Sequence, residues 1–202
     1  MSKRGGATAI RTNGKDEVIA IKAATGLPTI GIIKKNYESS DVYITPTLKE
    51  VQELIESKTD VIALDATPRK RPHGERLEDL VAYIKQNSDC LIMGDISTYA
   101  EGSYALSSGC DFISTTLSGY TPYSRRLEGP DFELIKELSA NLNTIVIAEG
   151  RINSPEDALK AIKYGAHAVV VGTSITRPTV ITKRIVDKLK LVQSACSNYS
   201  SK

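Results

Sequence analysis

The stretch TIVIAEGRINSPEDALKAIKYGAHAVVVGTS, Thr144 to Ser174, holds one whole structural repeat. TIVIAEG is apolar and β-branched almost without a break, as a strand covered on both faces must be. Ser154 then precedes Pro155 and Glu156, an N-cap followed by proline at the first helical position, and Gly165 is a fitting C-cap. AVVVGTS (168–174) is a second continuous apolar run. Strand, helix and strand in so short a span make a βα unit.

The same alternation runs through the chain. Further β-branched runs are ATAIRTN (7–13), TIGIIKK (29–35), VIALDAT (61–67), CLIMGDIS (90–97) and DFISTTL (111–117). Between the runs lie the amphipathic patterns DEVIAIKAA, TLKEVQELIES, GERLEDLVAYIKQN, TYAEGSYALSS, DFELIKELSANL, SPEDALKAIKYG and TVITKRIVDKLKLV. An eight-stranded barrel and an open doubly wound sheet both fit seven such units. No GxGxxG or GxxxxGK[ST] follows any strand, which weighs against a nucleotide-binding open sheet. Polar residues stand instead at nearly every strand's carboxyl end: Arg11, Lys34, Asp65, Asp95, Thr115, Glu149 and Ser174. A barrel gathers those ends at one mouth, where its active site sits.

KRGGATAI at the start reads as a helix end, a Gly-Gly turn and a strand. The expectation is therefore an α/β protein of the (β/α)8 TIM-barrel type that lacks its first βα unit, with Met1 internal to a longer reading frame. Residues 1–202 form one domain, its core spanning about residues 5–190 and its tail, 191–202, frayed.

Composition narrows the function. The 202 residues are 41% hydrophobic, enough for a sizeable core, and 26 Lys plus Arg against 24 Asp plus Glu leave a charge of only +2. Such balance argues against nucleic-acid or membrane partners. No apolar run reaches the roughly 18 residues of a membrane span, and MSKRGGATAI is not a signal peptide. Cys90, Cys110 and Cys196 are scattered and read as reduced thiols, while His73 and His167 lie far apart in sequence. A cytoplasmic, metal-free protein is the expectation. The basic loop PRKRPHGER (68–76) reads as solvated.

The last two units carry the clearest chemistry. AEGRI and VVVGTSITRP place Gly150, Gly172 and Thr173 at strand ends before helices, with Arg151 and Arg177 nearby. Such glycine loops admit an anion to backbone N–H groups, and barrels often bind phosphate after their last two strands. Glu149 is either a structural partner for an arginine or a catalyst. Across the mouth from it, Lys34, at the end of TIGIIKK, becomes a desolvated acid/base, with Lys35 on the opposite, solvated face. Arg11 holds a phosphate or hydroxyl, or caps the sheet by ion pairing. Asp65 and Asp95 bind sugar hydroxyls or structural lysines. SGYTPYS (118–124) is either a loop that closes over a substrate or a surface turn.

The segments GIIKKNY, YITPTLKEV, IALDATPRKRP, STTLSGYTPYS, VIAEGRINSPEDA and VVVGTSITRPTVITKR resemble the N-acylglucosamine-6-phosphate 2-epimerase family, also called N-acetylmannosamine-6-phosphate epimerases. The resemblance runs from Gly5 to about Lys190. It implies a (β/α)8 barrel that interconverts N-acetylmannosamine 6-phosphate and N-acetylglucosamine 6-phosphate in sialic-acid catabolism. It further implies Lys34 as acid/base at C2, Glu149 as its partner, Arg11, Asp95, Arg151 and Arg177 as substrate ligands, and no cofactor. The expected partner is a phosphosugar, with a homodimer compatible. Family members begin with an extra strand and helix that bring a substrate-contacting glutamine, which this chain does not show. A catalytically weak or silent phosphosugar-binding barrel is therefore the alternative. A relative of ribulose-phosphate epimerases fits less well, because those use aspartates and metal-binding histidines.

Overall fold

The computed structural model describes residues 2–197, with side chains for residues 2–190. Seven strands make one sheet: β1 (Ile10–Asn13), β2 (Thr29–Ile32), β3 (Val61–Asp65), β4 (Leu91–Asp95), β5 (Phe112–Ser114), β6 (Val146–Glu149) and β7 (Ala168–Val170). Every ladder is parallel and joins neighbours in chain order. That order decides between the two alternatives, because a doubly wound sheet reverses its strand order at a switch point. The architecture is a nearly closed βα barrel.

Each helical pattern becomes a helix: α1 (Lys15–Thr25), α2 (Leu48–Glu56), α3 (Leu77–Asn87), α4 (Tyr99–Ser107), α5 (Phe132–Asn141), α6 (Pro155–Lys163) and, after the short α7 (Thr173–Thr176), α8 (Pro178–Ser197). Three of them start on capping boxes that satisfy otherwise orphaned amides: Thr47 with Glu50, Thr98 with Glu101, and Ser154 with Asp157. The extra element, α7, interrupts the GTSITRP loop and carries no hydrophobic periodicity by which sequence could announce it. Helix α8 extends through Ser197, and the rest of the tail expected to fray lies outside the described residues. No helix among the described residues is long and apolar enough to cross a membrane.

Strand alternation sorts the apolar side chains into two layers. Ile32, Val61, Ala63, Met93 and Ile147 pack inside the barrel, joined by Ile30, Ile44 and Leu117. Ile62, Leu64, Ile92, Ile113 and Val146 point outward to Leu54 of α2, Leu80 and Ile84 of α3, and Leu138 of α5. A smaller cluster of Ala148, Ile152, Ala161 and Ala166 seats α6.

No ladder joins β7 back to β1 among the described residues, so the barrel has an opening there. Burial follows that geometry. All of β3 is buried, whereas no residue of β1 or β7 is.

Helix α4 lies close against β4 because residue 94 is glycine. A Cβ there would stand 2.9 Å from the Ala105 methyl and 3.1 Å from that of Ala66. Both neighbours are short, unbranched and fully buried, so neither can swing aside. Gly94→Ala is expected to lower unfolding free energy by about 1–3 kcal/mol through overpacking, measured by urea denaturation.

Candidate active site

Arg11 leaves β1 and crosses the barrel interior. Its Nη1 and Nη2 donate to Asp95 Oδ1 at 2.9 Å and Oδ2 at 2.6 Å, a bidentate pair with the end of β4. Nη1 also donates to Glu149 Oε2 at 2.8 Å, at the end of β6, and to Thr116 Oγ1 at 3.2 Å. Thr116 Oγ1 in turn donates to Asp95 Oδ1 at 2.7 Å. Arg11, the second residue of β1 rather than its end as expected, thus draws the ends of β4 and β6 onto one guanidinium.

This cluster is removed from water: the side chains of Arg11, Asp95 and Glu149 are 7%, 0% and 18% exposed. Burial pulls the Arg11 pKa down, but Asp95 and Glu149 beside it more than reverse that, so it stays charged. One guanidinium against two carboxylates leaves a net negative charge when both are ionised. Glu149 bears the consequence. Burial first, and then the Asp95 charge, raise its pKa above the ordinary 4.5, while Arg11, a Thr116 hydrogen bond and Lys34 oppose the rise. Its backbone is held by Thr115, whose hydroxyl donates to Glu149 O at 2.9 Å and accepts from Glu149 N at 3.0 Å.

A cavity of about 1170 Å³ opens above this cluster and continues down between β1 and β7. Arg11, Lys34, Tyr43, Glu149, Gly150 and Thr173 are among the residues that line it. Ile30 and Ile32 point into the barrel and Ile33 outward, so alternation turns Lys34 to the cavity. The expectation of a desolvated lysine is corrected, because Lys34 is exposed. Its Nζ stands at an open mouth and makes no hydrogen bond among the described residues, so only a bound ligand could remove it from water. Lys35 is exposed as well.

The glycine loops take their expected positions beside the cavity. Gly150 has φ 101°, which any side chain would strain, and Gly172 precedes the first turn of α7, where Thr173 follows. The arginines divide. Arg151, itself at φ 56°, donates through Nε to Gly129 O at 2.7 Å and through Nη1 to Ser118 O at 2.7 Å, and lies over the Tyr120 ring. It binds the loop after β6 to the loop after β5. Arg177 is exposed at the end of α7, outside the cavity lining. Arg184, which sequence reading did not single out, lines the cavity instead and donates to Ser174 Oγ at 3.1 Å and Asn153 Oδ1 at 2.5 Å. It lies ten residues past Ser174 on an exposed helix face, where nothing in the linear pattern separates it from other surface cations.

Asp65 and Asp95 are both fully buried, and neither lines the cavity. Asp95 lies beneath Arg11. Asp65 accepts from Thr67 N at 3.0 Å and Oγ1 at 2.7 Å, and from Arg69 Nη2 at 2.6 Å. That pairing departs from the reading of PRKRPHGER as a solvated loop at Arg69, while Lys70, His73 and Arg76 are exposed as expected. Arg71 is only 3% exposed and donates to the carbonyls of Asp65, Thr45 and Pro46. The SGYTPYS loop is anchored as well: Tyr123 donates to Glu101 Oε1 at 2.5 Å, and Thr121 shares a hydrogen bond with Ser97 at 3.0 Å. Among the described residues no group of three His, Cys, Asp or Glu is placed to hold a metal ion.

Residues 1–191 match the family described as "Putative N-acetylmannosamine-6-phosphate epimerase". A relative from Clostridioides difficile (strain 630), named "Putative N-acetylmannosamine-6-phosphate 2-epimerase", is 53% identical over 187 residues, 93% of this chain and 83% of its own. A relative of the same name from Staphylococcus aureus (strain JH9) is 46% identical over 189 residues, 92% of this chain and 85% of its own. The solved N-acetylmannosamine-6-phosphate 2-epimerase from Clostridium perfringens superposes with a TM-score of 0.90 at 53% identity, over 92% of this chain and 81% of that one. FabK from Thermotoga maritima, at 18% identity and a TM-score of 0.57 over 79% of this chain and 46% of its own, shares the fold alone. The chain that holds Arg11, Lys34 and Glu149 around one cavity therefore belongs to the N-acetylmannosamine-6-phosphate epimerase family.

Proposed function

We propose that the protein interconverts N-acetylmannosamine 6-phosphate and N-acetylglucosamine 6-phosphate by removing and returning the proton at C2, in the catabolism of sialic acid. The observation that carries this reading is the placement of Lys34 and Glu149 on one cavity, with Glu149 held by Arg11. The relatives' shared name supports an epimerase over a catalytically silent phosphosugar-binding protein. Because phosphorylated sugars are retained inside cells, the reading also implies a cytoplasmic setting.

The chemistry follows from the substrate. In the open-chain sugar, C2 bears the acetamido group and lies beside the C1 aldehyde. When a base takes the C2 proton, the electron pair left behind moves into the C1–C2 bond and onto the aldehyde oxygen as an enolate. That electron sink lets the reaction run without a cofactor. Inversion then needs a proton delivered to the opposite face. Lys34 comes from the end of β2 and Glu149 from β6, strands separated by three others along the sheet. In one direction the Glu149 carboxylate takes the proton and the Lys34 ammonium supplies the other; the reverse direction exchanges their roles. Arg11 keeps the Glu149 carboxylate oriented, and Asp95 keeps Arg11 in place. Gly150, Gly172 and Thr173 supply the phosphate loops, Arg177 the neighbouring charge, and Arg151 the support of the loop walls.

Incubation with N-acetylmannosamine 6-phosphate in heavy water is expected to place deuterium at C2 of both epimers; product without label would sink the proton-transfer mechanism. Lys34→Met should lower turnover by roughly 10²-fold or more, the scale of a lost acid/base group, while Lys35→Met stays near the parent value. Full activity in Lys34→Met would remove Lys34 from the mechanism.

The pH profile tests Glu149 separately. Its pKa is raised above 4.5, so the carboxylate form is present above the raised value and is lost as pH falls through it. The acidic limb of kcat/KM in the direction that uses the carboxylate should therefore lie above pH 4.5. A limb at or below the ordinary carboxylate value would count against this assignment.

A further inference from the structure

Beyond the acid/base pair, the mouth holds a tyrosine that sequence reading did not single out. After β2 the chain turns and runs back beside Lys34. Lys34 and Ile44 pair as an antiparallel bridge, Lys35 N donates to Tyr43 O at 3.0 Å, and Thr45 N donates to Ile33 O at 2.8 Å. The returning segment is fixed from the other side, where Asp65 N donates to Ile44 O at 3.2 Å and buried Arg71 donates to Thr45 O at 3.3 Å. Tyr43 is therefore held by backbone on both sides.

The Tyr43 ring packs on the apolar group inside the barrel that includes Ile32, Ile44 and Ala63, and it lines the cavity. Its hydroxyl lies within electrostatic reach of Asp65, Arg69, Asp95 and Tyr120, yet it makes no hydrogen bond among the described residues. Other tyrosines spend theirs: Tyr37, Tyr104 and Tyr123 donate to Glu50, Glu78 and Glu101. Burial raises the Tyr43 pKa, with Asp65 and Asp95 adding to it against Arg69, so the hydroxyl is a neutral donor.

Resting on the epimerase reading, we propose that Tyr43 recognises the acetamido group of the substrate, its hydroxyl donating to the acetamido carbonyl while Ile32 and Ile44 receive the methyl. The acetamido group is bonded to the carbon that Lys34 must reach, and the wall next to Lys34 is the segment that carries Tyr43 and Ile44. The phosphate loops stand after β6 and β7, away from this wall, so the phosphate does not compete for it. Arg11 already directs its hydrogen bonds to Asp95, Thr116 and Glu149, on the side of β4 and β6. Ile32 and Ile44 also line the cavity, which gives the methyl an apolar seat beside the polar tip. A site that spends a buried donor on one substrate group rejects analogues that lack the group.

The test compares the parent with Tyr43→Phe, which keeps the ring and its packing. Two readings are taken: KM and kcat for N-acetylmannosamine 6-phosphate, and the inhibition constant of mannose 6-phosphate, which has a hydroxyl in place of the acetamido group. KM is expected to rise roughly 3- to 10-fold, the range of one neutral hydrogen bond, with little change in kcat and no change in the inhibition constant. An unchanged KM, or equal losses for both compounds, would overturn the assignment while leaving the epimerase reading intact. A parent protein that leaves N-acetylmannosamine 6-phosphate untouched would overturn that reading, and this inference with it.

Discussion

The Arg11 guanidinium, shared between Asp95 and Glu149, is the constraint around which the site is organised. Bringing three charges out of water is costly, and their attraction offsets that cost only where geometry and hydrogen bonding are good. Here the guanidinium fork meets Asp95 edge to edge, and Thr116 occupies the remaining position on Asp95 Oδ1. Such a cluster tolerates little displacement. It ties β1 to the ends of β4 and β6, and it holds Glu149 with a raised pKa and a fixed orientation. The same contacts place Asp95 beneath Arg11, away from the cavity. There it accepts both Arg11 hydrogen bonds of the bidentate pair.

A second framework supports the other half of the mouth. Among the described residues Arg71 donates no hydrogen bond to a carboxylate and instead donates to the carbonyls of Thr45, Pro46 and Asp65. Its burial lowers its pKa, with Asp65 working in the opposite sense. By joining the end of β3 to the segment that returns beside β2, it sets the wall on which Lys34, Tyr43 and Ile44 stand. Asp65 and Arg69 complete that wall. The basic loop after β3 is therefore part of the scaffold of the site. The charges of Arg69 and Arg71 are spent on one buried aspartate and on backbone, while Lys70 and Arg76 stay exposed.

Much of the fold could be read from the chain because the physics is local. Continuous apolar runs mark strands covered on both faces, and Ser154-Pro155 marks a helix start by a hydrogen bond three residues long. The polar residues at strand ends were legible for the same reason, since a charge that closes an apolar run must stand at the sheet's edge. Gly150 was legible as a residue at a turn. What did not show were partners distant in sequence. Arg71 and Arg184 look alike in the chain, two cations among others, yet one is buried under three carbonyls and the other is exposed on a helix beside the cavity. Tyr43 lay in a noted motif, but its unspent hydroxyl appears only once its neighbours are in place.

The sequence by itself determined seven βα units, the positions of Lys34 and Glu149 at strand ends, and the glycine loops of the last two units, because periodicity and capping act over a few residues. Only the tertiary structure decided that Arg11 spans the barrel to Asp95 and Glu149 and that Lys34 stands in the open. Those outcomes depend on which strand ends come together and how much water they exclude, and neither quantity belongs to any short stretch of chain.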